Sequence, residues 1–411
     1  MNDIKFTKTN GGMGRKAASE DPISGLIFDA FVSSGSSVLT FGTAAGNLKG
    51  FETVGTDHIR KFNFVEQLDD AGIVWTENGN GSGTGGALTD SEKAKNALHY
   101  HISEFFRMNP QGTMYVMIKG DTATFDEADL STLQNYANGA IRQCGVFSST
   151  LPTIADVQGE LADLEANHKP MSVVLTYDGS SVTTLSSLAD LSAAGKCNVS
   201  VLVGCDGDAT LAGNLGDYAN YGCIGLCVGA ISKAAVNECI AWVQKFPLGL
   251  KAPALFNGNL IKNIAQGDLE TLNTNRYIFV ITHVGDANNY FNDSHTCDVA
   301  TSDYAFIENV RTIDKACRGV RANLLPYLNS PLKVDAETGK LDSPMVAFLE
   351  TTAGKALEEM EAAGELSGYR VEIDPEQNVI STSQLEIVIK NVPTGVMRKV
   401  NVKIGFTTAL N

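Results

Sequence analysis

The chain has 411 residues and an ordinary globular composition, 43% hydrophobic and 19% charged, which fits two to four folded domains and excludes general disorder. A formal net charge of −16 argues against non-specific binding to nucleic acid or anionic membrane, and favours a soluble particle or self-assembly through local basic patches. No apolar run reaches the roughly 18–20 residues of a membrane span, and Met1–Lys16 lacks the apolar centre of a signal peptide, so the expected place is the cytoplasm, with eight reduced cysteines.

Residues 1–22 read as an arm, because scattered charge and glycine give them little with which to pack on their own body. Ile23–Phe28 is the first strand. Gly72–Thr76 is strand-like, and the glycine-rich break Asn78–Gly86 (NGNGSGTGG) follows it. Thr89-Asp90-Ser91-Glu92 is a capping box opening a helix that carries Ala94, Ala97, Leu98, His101, Ile102 and Phe105 on one face. Met114–Ile118 is a buried strand. Thr124-Phe125-Asp126-Glu127 is a second capping box, before a helix with Leu130, Leu133, Ala137, Ala140 and Ile141. Strand runs recur at Ser172–Tyr177, Asn198–Val203, Cys223–Val228 and Tyr277–Thr282, with helical patterns between them, notably Ser232–Phe246. Continuous apolar strands alternating with amphipathic helices imply an α/β sheet, mostly parallel and covered on both faces.

The C-terminal part has α+β character. Asp303–Leu325 is one helical pattern, with Val310, Ile313, Cys317, Val320 and Leu324 on an apolar stripe and Arg311, Lys315, Arg318 and Arg321 on another face. Ser343–Ala363 is a second helix, acidic towards its end at Glu358, Glu359 and Glu361. Strands are expected at Tyr369–Ile373, Leu385–Lys390 and Val396–Phe406. The last alternates cleanly: Val396, Val400, Val402, Ile404 and Phe406 against Met397, Lys399, Asn401 and Lys403.

Catalytic signatures are weak. Gly81-Ser82-Gly83-Thr84-Gly85-Gly86 satisfies a dinucleotide fingerprint, but its helix cap falls at Thr89, beyond the last glycine, and Asp121 lies too far along for the ribose carboxylate. A plain loop is the simpler reading. Asp121, Asp178, Asp206, Asp208 and Asp286 follow strands, where magnesium could bind, yet each sits in ordinary aspartate–glycine turn chemistry. His283, His295, Cys297 and Asp286 match no common metal site, and His99 and His101 point to different sides of a helix. Both Gly-Lys pairs fail the P-loop pattern and no G-x-S-x-G elbow occurs, so no catalytic, cofactor or metal residue is assigned. The expectation is a protein that builds rather than catalyses. The α/β enzyme binding a nucleotide at Gly81–Gly86 remains the alternative.

Tyr304-Ala305-Phe306-Ile307-Glu308-Asn309-Val310-Arg311-Thr312-Ile313-Asp314-Lys315 resembles the helix start of contractile tail sheath proteins, subunits of bacteriophage tails and related injection systems. The order that follows is also similar: helix, Asn329-Ser330-Pro331, second helix, Ala363–Val371, and a terminal pair turning at Pro393-Thr394-Gly395. Thr312 departs, standing where many members have a second arginine. The resemblance implies a structural subunit that stacks as hexameric rings around an inner tube and contracts to drive that tube through a cell envelope. It implies arm 1–22, an N-terminal part of the core at 23–100, an α/β domain at 101–300, a C-terminal sheath domain at 301–395 and arm 396–411. The implied partners are other copies, the tube protein, and baseplate and terminator proteins, in a virion tail or injection particle assembled in the bacterial cytoplasm. Val396, Val400, Val402, Ile404 and Phe406 are the candidates for inter-subunit strand pairing. Arg311, Lys315, Arg318 and Arg321 are the tube-facing candidates, with the acidic-ended Ser343–Ala363 helix as the other possibility.

Overall fold

The computed structural model describes residues 20–29, 31–193 and 195–407; most of the expected N-terminal arm therefore lies outside the described residues. An eight-stranded sheet takes its strands from both sides of residue 100. In chain order these are β1 (Ile23–Phe28), β2 (Glu52–Val54), β3 (Asp57–Phe62), β4 (Thr113–Ile118), β5 (Gln143–Ser148), β6 (Ser172–Tyr177), β7 (Val199–Leu202) and β8 (Tyr277–Ile278). The spatial order is β8-β7-β6-β5-β1-β4-β3-β2. Every pairing from β8 to β4 is parallel, whereas β3 runs antiparallel both to β4 and to its hairpin partner β2 at the edge. The mostly parallel sheet inferred from apolar strand runs is the one observed.

The helices that cover the sheet include α1 (Asp90–Met108), α2 (Ala128–Tyr136), α3 (Ile154–Ala166) and α4 (Ile224–Lys233). Leu26 and Phe28 of β1 join the core beneath α1 and α4, whereas Ile27 joins the core beneath α2 and α3. Burial on both faces makes a strand continuously apolar. The Thr89 capping box forms, with Glu92 N–H donating to Thr89 Oγ1 and Thr89 N–H to Glu92 Oε2.

Several local expectations are corrected. Cys223–Val228 is not a strand but the start of α4, whose residues Ile224–Ser232 are all buried. A helix buried all round loses the period that would identify it. Ser232–Phe246 is not helical beyond Lys233; it continues as turns, with Glu238 accepting the Ala235 N–H and meeting Lys245. The Thr124 box does not form, because Asp29 takes the Phe125 N–H and Asp129 takes the Asp126 N–H, delaying α2 to Ala128. Gly72–Thr76 is not a strand. The Tyr277–Thr282 run splits, and β9 (Val280–Thr282) leaves the main sheet to pair with β10 (Asn289–Phe291).

The C-terminal part consists of α5 (Ile307–Leu324), α6 (Ser343–Ala362) and an antiparallel ribbon of β11 (Leu366–Glu372) with β12 (Val388–Pro393). Ala316, Leu357, Met360 and Leu366 form a small core that Tyr369, Val371 and Ile389 close. The expected strand at Leu385–Lys390 is thus shifted, since Leu385 and Ile387 pack around Leu341, Leu349 and Ile373 before pairing begins at Val388.

Candidate assembly surfaces at the chain ends

The β11–β12 ribbon has only two strands among the described residues, so each keeps one edge without a partner. Such a ribbon is marginal alone, and its edge N–H and C=O groups are a template for another strand. Past its turn, Val396–Phe406 is not the third strand expected: among the described residues no ladder bond holds it, although β12 keeps a free edge. Val400, Val402, Ile404 and Phe406 are 62%, 77%, 96% and 112% exposed. Four apolar side chains in alternation, facing water, cost free energy at roughly 25 cal/mol per Å² until something covers them. Val396 is half-buried.

Three of the four cations proposed on the basic face of α5 already have partners within the chain. Arg311 is buried and donates to the carbonyls of Ala234 and Ala235 at the end of α4. Burial lowers its guanidinium pKa to about 10. Lys315 lies 2.6 Å from Glu365 and 3.0 Å from Asp21, and Arg318 lies 2.9 Å from Asp21. Lys315 and Arg318 thus pair with the protein's own carboxylates and Arg311 with its carbonyls, while Arg321 is exposed. Helical spacing locates a charged face but does not say which side carries the partners. Glu358, Glu359 and Glu361 of α6 are exposed.

The glycine-rich loop closes on itself. Gly81 N–H donates to the Gly86 carbonyl, and a Cβ on Gly81 would come 2.1 Å from the Ala87 oxygen. Glu92 accepts from Ser82 N–H and Oγ, placing a carboxylate where a fingerprint loop would receive a phosphate. Asp178, Asp206 and Asp286 each accept the N–H two residues on, and Asp208 caps a short helix, so all four act in turns or caps. Asp121 is exposed at φ +49°. His295 meets Asn273, and burial lowers its pKa to about 4; among the described residues no group of three or more His, Cys, Asp or Glu could hold a metal.

Sequence reasoning missed Arg398. Its Nε lies 3.0 Å from both Asp293 carboxylate oxygens, its Nη2 reaches Glu308, and its guanidinium stacks 3.5 Å from the Phe306 ring centroid. A lone arginine in an alternating run gives no signal of this role, because the acceptors come from residues about a hundred positions away.

A family model described as DUF2586, N-terminal domain, matches residues 79–295, and one described as DUF2586, C-terminal domain, matches residues 303–411. Among solved structures the chain is similar to the anti-feeding prophage helical sheath in its contracted state, with TM-score 0.58 and 16% identity over 98% of this chain and 100% of that one. It is similar to a chain of the anti-feeding prophage baseplate, six-fold symmetrised, with TM-score 0.56 and 12% identity over 99% and 100%. It also resembles the PVC sheath complex of an extracellular contractile injection system, contracted, with TM-score 0.55 and 11% identity over 99% of each chain. No curated protein matches the chain. The likeness at these identities is one of fold, and it spans nearly the whole polypeptide.

Proposed function

Because this chain belongs to the DUF2586 family and carries the fold of contractile sheath subunits, we propose that it is itself such a subunit, polymerising around an inner tube and contracting to drive the tube through a cell envelope. The observation that carries the reading is the likeness to a helical sheath over 98% of this chain and all of that one. The exposed strip Val400–Phe406 and the open-edged β11–β12 ribbon support it, since strand addition needs a free strand and a free edge. Main-chain bonds would hold neighbours together while alternate apolar side chains set the register. Such a hinge lets subunits tilt without separating.

In this reading copies stack as hexameric rings. The segments at 1–22 and 396–411 join neighbours, and baseplate and terminator proteins close the ends of a virion tail or injection particle assembled in the bacterial cytoplasm. The tube contact is assigned to the exposed acidic end of α6, with Arg321 the member of the α5 set left facing outwards. Nothing in the Gly81–Gly86 geometry favours the nucleotide-binding enzyme.

Negative-stain microscopy of concentrated protein tests the proposal directly. Hollow tubes are expected from the full chain, and a soluble monomer from a variant lacking residues 1–22. Normal tubes from that truncation would overturn the role of the arm.

A further inference from the structure

Glu308, Arg311, Lys315 and Arg318 recur at three- and four-residue intervals, which places them on one face of α5. Between them they fasten four pieces of chain. Glu308, only 2% exposed, takes Arg398 at the start of the C-terminal segment, together with Ser294 Oγ. Arg311 takes the end of α4. Lys315 takes Glu365, which leads into β11, and Lys315 and Arg318 together take Asp21, where the N-terminal segment enters β1. Beyond Arg398, residues 399–407 are exposed.

We propose that this stripe is a mooring rail: Arg398 and Asp21 are positioning residues that fix both terminal segments to one helix, so that a pull on one segment passes along α5 to the other. The two moorings are separated by about 10–15 Å of helix, a span too short to bend appreciably. Of the charges that moor the two segments, Glu308 is the one fully withdrawn from water, so loss of Arg398 releases the C-terminal segment and strands its carboxylate, while Asp21, Lys315 and Arg318 keep partial contact with solvent. The planar Arg398 fork presents Nε to Asp293 and Nη2 to Glu308 while stacking on Phe306, a fixed geometry that a lysine's single ammonium does not reproduce. The mechanical meaning of the rail rests on the sheath reading; the mooring itself does not.

Hydrogen exchange on the full-length soluble subunit tests the mooring. Arg398→Gln is expected to speed exchange at the amides of residues 394–398 at least tenfold without changing residues 20–24, and Asp21→Asn to do the reverse. Arg398→Lys should fall between, with the melting temperature near that of the wild type. Unchanged exchange in both glutamine and asparagine variants would overturn the mooring. Tubes then test the shared path, by their mean length after a fixed shear. Each single variant should give shorter fragments, and the double variant fragments no shorter than the weaker single, as for two links in series. Additive shortening would overturn the single path. If the wild type forms no tubes, the sheath reading fails while the exchange result still decides the mooring.

Discussion

Gly225 of α4 lies against the backbone of α1 at His101: a Cβ on Gly225 would come 1.8 Å from the His101 carbonyl oxygen. Gly229, one turn later, faces the Phe105 carbonyl at 2.9 Å in the same sense. The pair of glycines lets two buried helices approach closely on one face of the sheet. Gly225→Ala should therefore force α1 and α4 apart and cost about 3 kcal/mol or more, at the upper end of overpacking. Gly159→Ala on α3, with nothing within 4 Å of the new methyl, should stabilise by about 0.5–1 kcal/mol. Denaturant unfolding of the two variants checks both signs.

Asp314 gives the stability a pH slope. Burial on α5 pushes its pKa from 3.8 to about 7 despite Arg318, Arg142 and Arg311 near by. The native state then holds a proton that the unfolded chain has released, so this group's contribution falls as pH rises from about 4 to 7 and is level above that. Asp314→Asn should match the wild type near pH 4 and exceed it at pH 8 by a few kcal/mol, at about 1.4 kcal/mol per pKa unit. Thermal unfolding across that range measures the difference.

The exposed strip should matter to assembly and not to the monomer. Val402→Asp with Ile404→Asp alters side chains already in water, so the unfolding free energy should stay within about 0.5 kcal/mol of wild type. Sedimentation velocity should show the variant as a monomer at concentrations where the parent polymerises.

Charge reversal separates the two helices proposed for the tube. Glu358→Lys with Glu361→Lys, on the exposed end of α6, should abolish co-purification with the tube protein and leave the melting temperature unchanged. Arg318→Glu should instead lower the melting temperature, because it sets two carboxylates against each other at Asp21.

What could be read from residues alone follows the physics of each signal. β1, β4 and β6 were legible because burial on both faces makes a continuous apolar run, and the Thr89 box because its bonds are local. α4 was not, since an apolar helix and an apolar strand look alike once all sides are buried. β5 escaped because Gln143 and Gly145 interrupt its apolar character: Gln143 bonds Ser24, and Gly145 makes room for Ile224 and Val228. The charged stripe of α5 was visible as a pattern, but its inward direction depends on Asp21, Glu365 and Arg398, all distant in sequence. The same holds for residues 396–407, where alternation was plain and the absence of an intramolecular ladder among the described residues was not.

Cryo-electron microscopy of tubes assembled from the full chain tests the central claim most directly. The account predicts backbone density for residues 399–407 of one subunit hydrogen-bonded along a β11 or β12 edge of a neighbour, with Arg398 still seated between Asp293 and Glu308. Density showing that segment folded back on its own body, in particles whose copies touch only through side chains, would contradict it.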